Sequence, residues 1–155
     1  MTEMNVKKLS PEAKIPTYGS DEAAGMDLYA LIPETDSPLT IKAGETKFIH
    51  TGLSMEIPGG FVGLIFARSG LGCKKGLAPA NKVGVIDSDY RGEIMVALHN
   101  HNVPTEDNDG SAVIANGDRI AQMAIIPILR PVLVEATKLE DTDRGEGGFG
   151  STGTK

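Results

Sequence analysis

The chemistry that this sequence could perform is concentrated in one short segment, NKVGVIDSDYRGE, which spans residues 81–93. An apolar run there delivers a carboxylate, Asp87, beside an aromatic side chain, Tyr90, and a cation, Arg91. A carboxylate in this company can take a proton from water next to a bound phosphate. A calcium loop is excluded, because Arg91 and Leu98 stand where that loop needs oxygen ligands. The alternative interpretation is that Asp87 only starts a turn, which is a common role of aspartate.

A second segment, ARSGLG, offers hydrogen-bond donors that suit an anion. Arg68 and Ser69 follow an apolar run, and Gly70 releases the backbone into an unusual turn. A guanidinium, a hydroxyl and nearby backbone N–H groups can together hold phosphate oxygens. This segment is short, so its signal is weak when taken alone.

Two further segments place polar side chains inside apolar strands. In NGDRIAQM the amide of Gln122 needs a hydrogen-bond partner, and Asp118 next to Arg119 predicts a structural ion pair. In AAGMDLYA, Asp27 lies between two apolar residues. A carboxylate there is costly unless it serves a cation or a hydrogen-bond network.

The last residues of the sequence, RGEGGFGSTGTK, are rich in glycine and cannot build a core. They contain the pattern GxGxxG, but too few residues follow it for the helix that a dinucleotide site needs. We therefore expect residues 144–155 to form a flexible arm that could wrap phosphate oxygens and close an aromatic ring over a base. A plain solvated tail is the alternative. The side-chain donors and the aromatic residue of the arm are Arg144, Phe149, Ser151 and Thr152.

Short strands must position these residues, because glycine and proline interrupt the whole chain. The 155 residues include 19 Gly and 9 Pro, spread at intervals rather than gathered in one linker. Between them lie short runs rich in Val, Ile and other strand formers, without a convincing helical stripe. We predict one all-β domain, residues 1–143, followed by the arm. The expected strands are TKFIHTGLSMEI, FVGLIFAR, GEIMVALHN, RIAQMAII and PVLVEA.

The strand GEIMVALHN is apolar on both of its faces. A strand of this kind is covered on both sides, as in a sandwich, a jelly roll or an interface. The acidic, turn-rich segment that follows it is expected to be a solvated hairpin tip. The two faces carry Ile94, Val96 and Leu98, and Met95 and Ala97.

Charge and size exclude several classes of function. Fifteen Lys and Arg residues against 21 Asp and Glu residues give a net charge of -6, so no long-range basic field would attract nucleic acid or a membrane surface. The longest apolar run, residues 123–129, is far shorter than the ~20 residues of a membrane helix. One cysteine excludes an internal disulfide, and the first residues lack a secretory pattern, so we expect a cytoplasmic protein.

Taken in order, five segments resemble the five motifs of the trimeric deoxyuridine triphosphatases, the dUTPases. They cover residues 23–153, and five motifs in order with fitting gaps are far more specific than any one alone. The resemblance implies a distorted jelly-roll barrel and a homotrimer whose active sites are shared between subunits. It also implies dUTP as the substrate and Mg²⁺ as the cofactor. The segments are AAGMDLYA, ARSGLG, NKVGVIDSDYRGE, NGDRIAQM and RGEGGFGSTG.

The same resemblance implies roles for individual residues. Asp87 would be the general base for the attacking water, and Tyr90 would pack on the deoxyribose. Asn81 and the backbone of a hairpin through Val85 would read the uracil edge. Asp27 would support a hydrated magnesium ion through water. The remaining substrate-binding residues would be Arg68, Ser69, Gly70 and Gln122, and, from the arm, Arg144, Phe149, Gly150, Ser151 and Thr152.

Two alternatives of different kinds stay open at this point. A related deaminase that acts on dCTP, alone or bifunctionally, shares the implied fold. A regulatory binding module would instead use the nucleotide site as a switch. Its partner surface would be the loop of residues 99–115, which is longer than is usual for the family.

Overall fold

Short strands form the fold, which confirms the predicted all-β class. The computed structural model describes residues 3–148. That range contains twelve strands, one α-helix, α1 (Ser69–Lys75), and one 3₁₀ helix, Glu34–Asp36. None of the described helices is long and apolar enough to cross a membrane. The strands are β1 (Asn5–Lys8), β2 (Thr17–Tyr18), β3 (Met26–Tyr29), β4 (Leu39–Ile41), β5 (Thr46–His50), β6 (Leu53–Glu56), β7 (Phe61–Phe66), β8 (Leu77–Pro79), β9 (Gly84–Ile86), β10 (Met95–Asn100), β11 (Ala112–Ile114) and β12 (Arg119–Pro127).

The largest sheet brings three of the polar segments side by side. Its strands run in the order β2-β3-β12-β7-β9. Asp27 of β3 is opposite Gln122 of β12, and Gln122 is opposite Phe66 of β7, two residues before Arg68. Because neighbouring strands lie only about 4.8 Å apart, this register gathers the three segments at one end of the sheet.

Burial of an apolar core fixes that register. Leu28, Ile65, Ile120 and Met123, which come from the three central strands, are at most 3% exposed. A slip of one residue between strands would move such a set of side chains to the opposite face. Packing of the core therefore keeps Asp27 and Gln122 opposite each other on adjacent strands.

The ARSGLG segment begins a short helix rather than an unusual turn. Arg68 is its N-cap, with extended backbone, and the helix buries Leu71. The helix ends at Gly76, whose left-handed backbone lets its N–H donate to the Leu71 carbonyl. Lys74 and Lys75 occupy the last turn, where positive charge is favourable. The sequence contains these end signals, but the helix is too short to show a periodic stripe.

The predicted strand PVLVEA does not form within the described residues. The last strand, β12, ends at Pro127, and residues 128–141 have no regular secondary structure. A strand needs a neighbouring edge to pair its backbone groups. Here the side chains face solvent instead, and those of Leu129, Val132, Leu133 and Val134 are between 82% and 94% exposed.

The acidic segment after β10 has the predicted solvated hairpin tip, where Thr105 and Asn108 form an antiparallel bridge and residues 103–109 are exposed. The segment as a whole is a crossover connection. It joins β10, which pairs with β5 and β8, to β11, which pairs with β4. Its base is held by Asn100, which is fully buried and donates through Nδ2 to the carbonyls of Ile41 and Gly110 at 2.8 and 2.9 Å. One buried amide thus ties the connection to the fold.

Candidate functional site

One cleft of the protein is built around a carboxylate that lies between two guanidinium groups. Asp27 accepts from Arg68 Nε through Oδ1 at 2.7 Å and from Arg119 Nη1 through Oδ2 at 3.2 Å. The Asp27 side chain is 10% exposed, against 26% for Arg68 and 51% for Arg119. The expectation that this carboxylate serves a cation or a hydrogen-bond network is confirmed, since both of its oxygens bond to guanidinium groups. With two positive groups and one negative group, the cleft keeps an excess of positive charge.

Arg119 is the member of this cluster that sequence reasoning assigned wrongly. The predicted ion pair with Asp118 is wrong, because Asp118 accepts from the backbone N–H of Ala115 at 2.9 Å and closes a turn. The register of β12 against β3 shifts just after Arg119. An irregularity of this kind re-aims side chains, and at this position Arg119 bonds to Asp27 instead of Asp118. No local pattern in the sequence shows that shift.

Gln122 has the hydrogen-bond partner that its place in an apolar strand demands. Its Nε2 donates to the backbone carbonyl of Ala67 at 2.9 Å, which fixes the chain immediately before Arg68. A Cβ added at Gly25 would lie 3.2 Å from Gln122 Oε1, so this glycine leaves room for the amide. Together these residues enclose a cleft of about 190 Å³, here called the anion cleft. It is lined by Gly19, Ala23, Gly25, Asp27, Arg68, Ser69, Arg119 and Gln122.

A second cleft, of about 240 Å³ and here called the base cleft, contains the residues of the third motif. Strand β9 ends at Ile86 and places the exposed Asp87 directly beyond it. The predicted delivery of this carboxylate by a strand end is therefore confirmed. The cleft is lined by Phe48, Asn81, Val85, Ile86, Asp87, Tyr90, Glu93, Met95 and Ala97.

Tyr90 is oriented by two neighbours that the sequence did not single out. Its hydroxyl donates to the backbone carbonyl of Glu93 at 3.0 Å. Its ring lies over Gly92, where an added Cβ would come within 2.9 Å of the ring carbon Cε2. A side chain at position 92 would therefore displace the ring. In the sequence, the only indication of these two contacts is that Gly92 and Glu93 follow closely after Tyr90.

The hairpin predicted from Asn81 through Val85 is wrong in one respect. Strands β8 and β9 do not pair with each other, because β8 pairs with β10 and β9 with β7. Between them Lys82 has a left-handed backbone, with φ of 66°. The turn is tight, since the Lys82 N–H donates to the Pro79 carbonyl at 3.0 Å. Asn81 still reaches the base cleft, together with Val85.

The two clefts are separate from each other within one chain. Ile86, the neighbour of Asp87, is opposite Gly63 of β7, and Arg68 lies five residues beyond Gly63. At about 3.3 Å per residue of extended chain, Gly63 and Arg68 are roughly 16 Å apart along the backbone. Asp87 and Arg68 of the same chain therefore line separate clefts, towards opposite ends of β7.

The anion cleft fits a magnesium ion only through water. The described residues contain no group of three or more His, Cys, Asp or Glu side chains able to hold a metal ion. Mg²⁺ keeps several water ligands and commonly binds through one carboxylate plus substrate phosphates. Each oxygen of Asp27 takes one guanidinium bond and retains a lone pair that could accept from a water ligand.

Only the start of the predicted arm lies within the described residues. Arg144 Nε donates to the Gly147 carbonyl at 2.8 Å, in a turn where Gly145 has a φ of +50°. Phe149, Gly150, Ser151 and Thr152 lie outside the described residues. The arm boundary at residue 144 stays a prediction.

Comparison with known proteins gives one consistent result. The family model described as dUTPase matches residues 11–153 of this chain. A deoxyuridine 5'-triphosphate nucleotidohydrolase of Desulfitobacterium hafniense is 50% identical over 143 residues, covering 90% of this chain and 87% of that protein. The protein of the same name from Maricaulis maris is 45% identical over 141 residues, covering 91% and 88%.

Solved structures agree with the family match. The dUTPase of Staphylococcus bacteriophage 80alpha with dUPNHPP has a TM-score of 0.86 at 29% identity and covers 99% of both chains. A variant dUTPase from phage phi11 of S. aureus, described with a structural Mg(II) ion, has a TM-score of 0.79 at 25% identity. It covers 90% of this chain and 100% of its own. The predicted jelly-roll-like fold is confirmed.

Proposed function

Because this chain belongs to the dUTPase family, it is an enzyme that hydrolyses dUTP, and we propose that Asp87 activates the attacking water. Asp87 takes a proton as the water oxygen bonds to the α-phosphorus. The bond from that phosphorus to the α–β bridging oxygen breaks, and the products are dUMP and pyrophosphate. The observation that carries this proposal is the place of Asp87, exposed in the same cleft as Tyr90 and Asn81.

The base cleft supplies selectivity for the nucleoside. Asn81 and the backbone up to Val85 read the uracil edge, and a cytosine edge would leave these polar groups unpaired once the nucleotide covers them. The extra methyl group of thymine is rejected by overlap with the tight turn. Tyr90 packs on the deoxyribose and leaves no room for a ribose 2′-hydroxyl. Its fixed ring, held over Gly92, supports this role.

The anion cleft holds the phosphates. Arg68 meets Asp27 through Nε, so its two terminal nitrogens keep N–H donors for phosphate oxygens. Ser69 and Gly70 add the hydroxyl and the N–H groups of the first turn of α1, and Gln122 has a second amide hydrogen to donate. Asp27 would hold a hydrated Mg²⁺ through a water ligand. Such an ion neutralises charge on the phosphate oxygens in the transition state.

Each complete site is shared between subunits of a homotrimer. The placement of Asp87 and Arg68 of one chain in two clefts that share no lining residue supports this proposal, because a base at the α-phosphorus and its phosphate clamp must be adjacent. Unpaired apolar surface supports it too. The face of β5 and β10 next to the base cleft exposes Phe48 by 67% and Met95 by 39%, and residues 128–139 expose a run of large apolar side chains. Monomers rarely leave such surface in water.

The arm closes over the bound nucleotide. We place Phe149 on the uracil ring and Arg144, Gly150, Ser151 and Thr152 against the outer phosphates. A glycine-rich backbone suits this closure, because its N–H groups are unobstructed and can wrap phosphate oxygens. The domain of residues 1–143 and the arm of residues 144–155 are thus two functional parts of one chain.

The experiment that tests this function compares pyrophosphate release from dUTP, dCTP, dTTP and UTP in the presence of Mg²⁺. We expect kcat/KM for dUTP to exceed that for each competitor by at least about a hundredfold, since unpaired polar groups and steric overlap reject the others. Ammonia release from dCTP would show that the protein is instead, or also, a dCTP deaminase. Binding of dUTP without turnover would favour a regulatory module and contradict the proposal.

A further inference from the structure

The segment that carries Asp87 and Tyr90 is anchored to the turn between β5 and β6 by the side chain of Glu93. Glu93 Oε1 accepts from the backbone N–H of Gly52 at 2.8 Å, and His50 Nδ1 donates to Oε2, also at 2.8 Å. The Glu93 side chain is 23% exposed. Both carboxylate oxygens are therefore engaged on the side of the turn.

The turn that receives Glu93 is itself held firmly. Gly52 has a φ of +67°, and a Cβ there would lie 2.9 Å from the Cβ of Ala13. Its carbonyl accepts from the Leu9 N–H at 2.7 Å. Next to it, the buried Thr51 hydroxyl donates to the Ile94 carbonyl at 2.6 Å. Glu93 thus binds a fixed support.

The backbone of the same residue holds Tyr90. The Tyr90 hydroxyl donates to the Glu93 carbonyl at 3.0 Å, and Glu93 lines the base cleft beside Asp87. Burial favours the neutral form of Glu93, but hydrogen bonds from His50 and Gly52 outweigh it and lower the pKa of the carboxyl below its ordinary value. The carboxylate is ionised at neutral pH and can accept both bonds.

We propose that Glu93, held by His50 and Gly52, is a positioning residue that sets the place of Tyr90 and thereby the discrimination between deoxyribose and ribose. The inference rests on the proposed function, because it gives Tyr90 the sugar-packing role. The role of Glu93 in this proposal is positioning and not proton transfer, because each of its oxygens already accepts a hydrogen bond from His50 or Gly52. Glu93 acts through its backbone carbonyl, which its anchored side chain holds in place to accept from the Tyr90 hydroxyl.

The experiment compares Glu93→Ala and Glu93→Gln with Glu106→Ala, a change at an exposed carboxylate in the crossover loop. For Glu93→Ala we expect the ratio of kcat/KM for dUTP to that for UTP to fall about tenfold or more. The reason is that a displaced Tyr90 ring would no longer exclude the ribose 2′-hydroxyl. Glu93→Gln should restore most of the ratio, since its amide can still accept from Gly52 and donate to His50. Glu106→Ala should leave the ratio unchanged.

Hydrogen exchange of the backbone amides of residues 87–93, measured without nucleotide, gives a second readout. We expect faster exchange in Glu93→Ala than in the parent, and parent-like exchange in Glu106→Ala. If Glu93→Ala does not fold, Tyr90→Phe removes the hydroxyl that bonds to Glu93 and should lower the same dUTP to UTP ratio.

Three results would overturn the inference. One is an equal loss of activity on dUTP and UTP, which would make Glu93 merely structural. Another is a Glu93→Gln variant as inactive as Asp87→Asn, which would make Glu93 catalytic. The third is parent-like exchange in residues 87–93 of Glu93→Ala. If the parent protein itself leaves dUTP intact, the proposed function fails, and the exchange comparison still decides whether Glu93 holds the segment.

Discussion

At the scale of single residues, Asp27 shows how an acidic protein can prepare a site for a polyanion. Its carboxylate orients Arg68 and Arg119, and each guanidinium keeps further N–H donors beyond the one that it gives to Asp27. Because charges beyond about 8 Å are largely screened at physiological salt, the net charge of -6 matters less than these contacts. Local cations are therefore sufficient for the phosphate binding that we propose.

The Asp87→Asn variant tests the role of the general base. We expect it to bind dUTP like the parent but to lose roughly 10²–10⁴-fold in kcat, because an amide cannot take the proton from water. Asp89→Asn is the matched control, since Asp89 lines a different cleft two residues away. Single-turnover rates and nucleotide binding are measured on both variants.

A kcat within a few fold of the parent in Asp87→Asn would remove Asp87 from this role. An equal loss in Asp89→Asn would attribute the effect to the loop rather than to the carboxylate. Both residues are exposed and lie in one turn, so general damage to the fold should affect them alike.

The individual site residues were only partly predictable from the sequence. Asp27, Gln122 and Asp87 could be singled out because a polar group at an apolar strand or its end needs a reason. Arg119 and Glu93 could not be assigned correctly. Their partners, Asp27 and Gly52, are distant in sequence and are brought close by a register shift and by the β5–β6 turn.

At the scale of elements, helix α1 offers two glycines whose replacement should have opposite effects. Gly72 lies within the helix, where a Cβ would meet other atoms only at 3.8 Å, so Gly72→Ala should stabilise the protein by about 0.5–1 kcal/mol. Gly76 has a φ of +67°, and a Cβ there would lie 2.7 Å from Asn102 Cγ. Gly76→Ala should lower the free energy of unfolding by at least about 1 kcal/mol.

Thermal unfolding at one fixed protein concentration measures both changes. A shift of about 2–4 °C in Tm corresponds to 1 kcal/mol in a chain of this length. Equal signs for the two variants would contradict the assigned helix and its left-handed end. Since neither glycine lines the anion cleft, kcat of the folded enzyme should change little.

Strands were predictable where burial in the core determines the pattern of apolar residues. They were less predictable where strand formation depends on the presence of a neighbouring strand. FVGLIFAR and RIAQMAII form β7 and β12, whose pairing is fixed by core residues such as Ile65 and Met123. PVLVEA has the composition of a strand but forms none in the described chain. Composition cannot tell whether a strand's neighbour belongs to the same chain.

At the scale of the whole molecule, the apolar surface left open by one protomer indicates assembly. Leu129, Leu133 and Leu139 are each more than 80% exposed, and Phe48 is 67% exposed beside the base cleft. Chain association would bury these side chains and bring an anion cleft next to a base cleft. The proposed trimer therefore explains both the open surface and the divided site.

Complementation between two inactive variants tests the divided active site most directly. Asp87→Asn and Arg68→Ala proteins are each assayed for dUTP hydrolysis, then unfolded together in equal amounts, refolded and assayed again. If Asp87 and Arg68 of one site come from different chains, random mixing restores about one quarter of the parental activity, because about a quarter of sites regain both native residues. Activity that stays at the level of the separate variants would contradict the shared site, provided that mixed trimers are present.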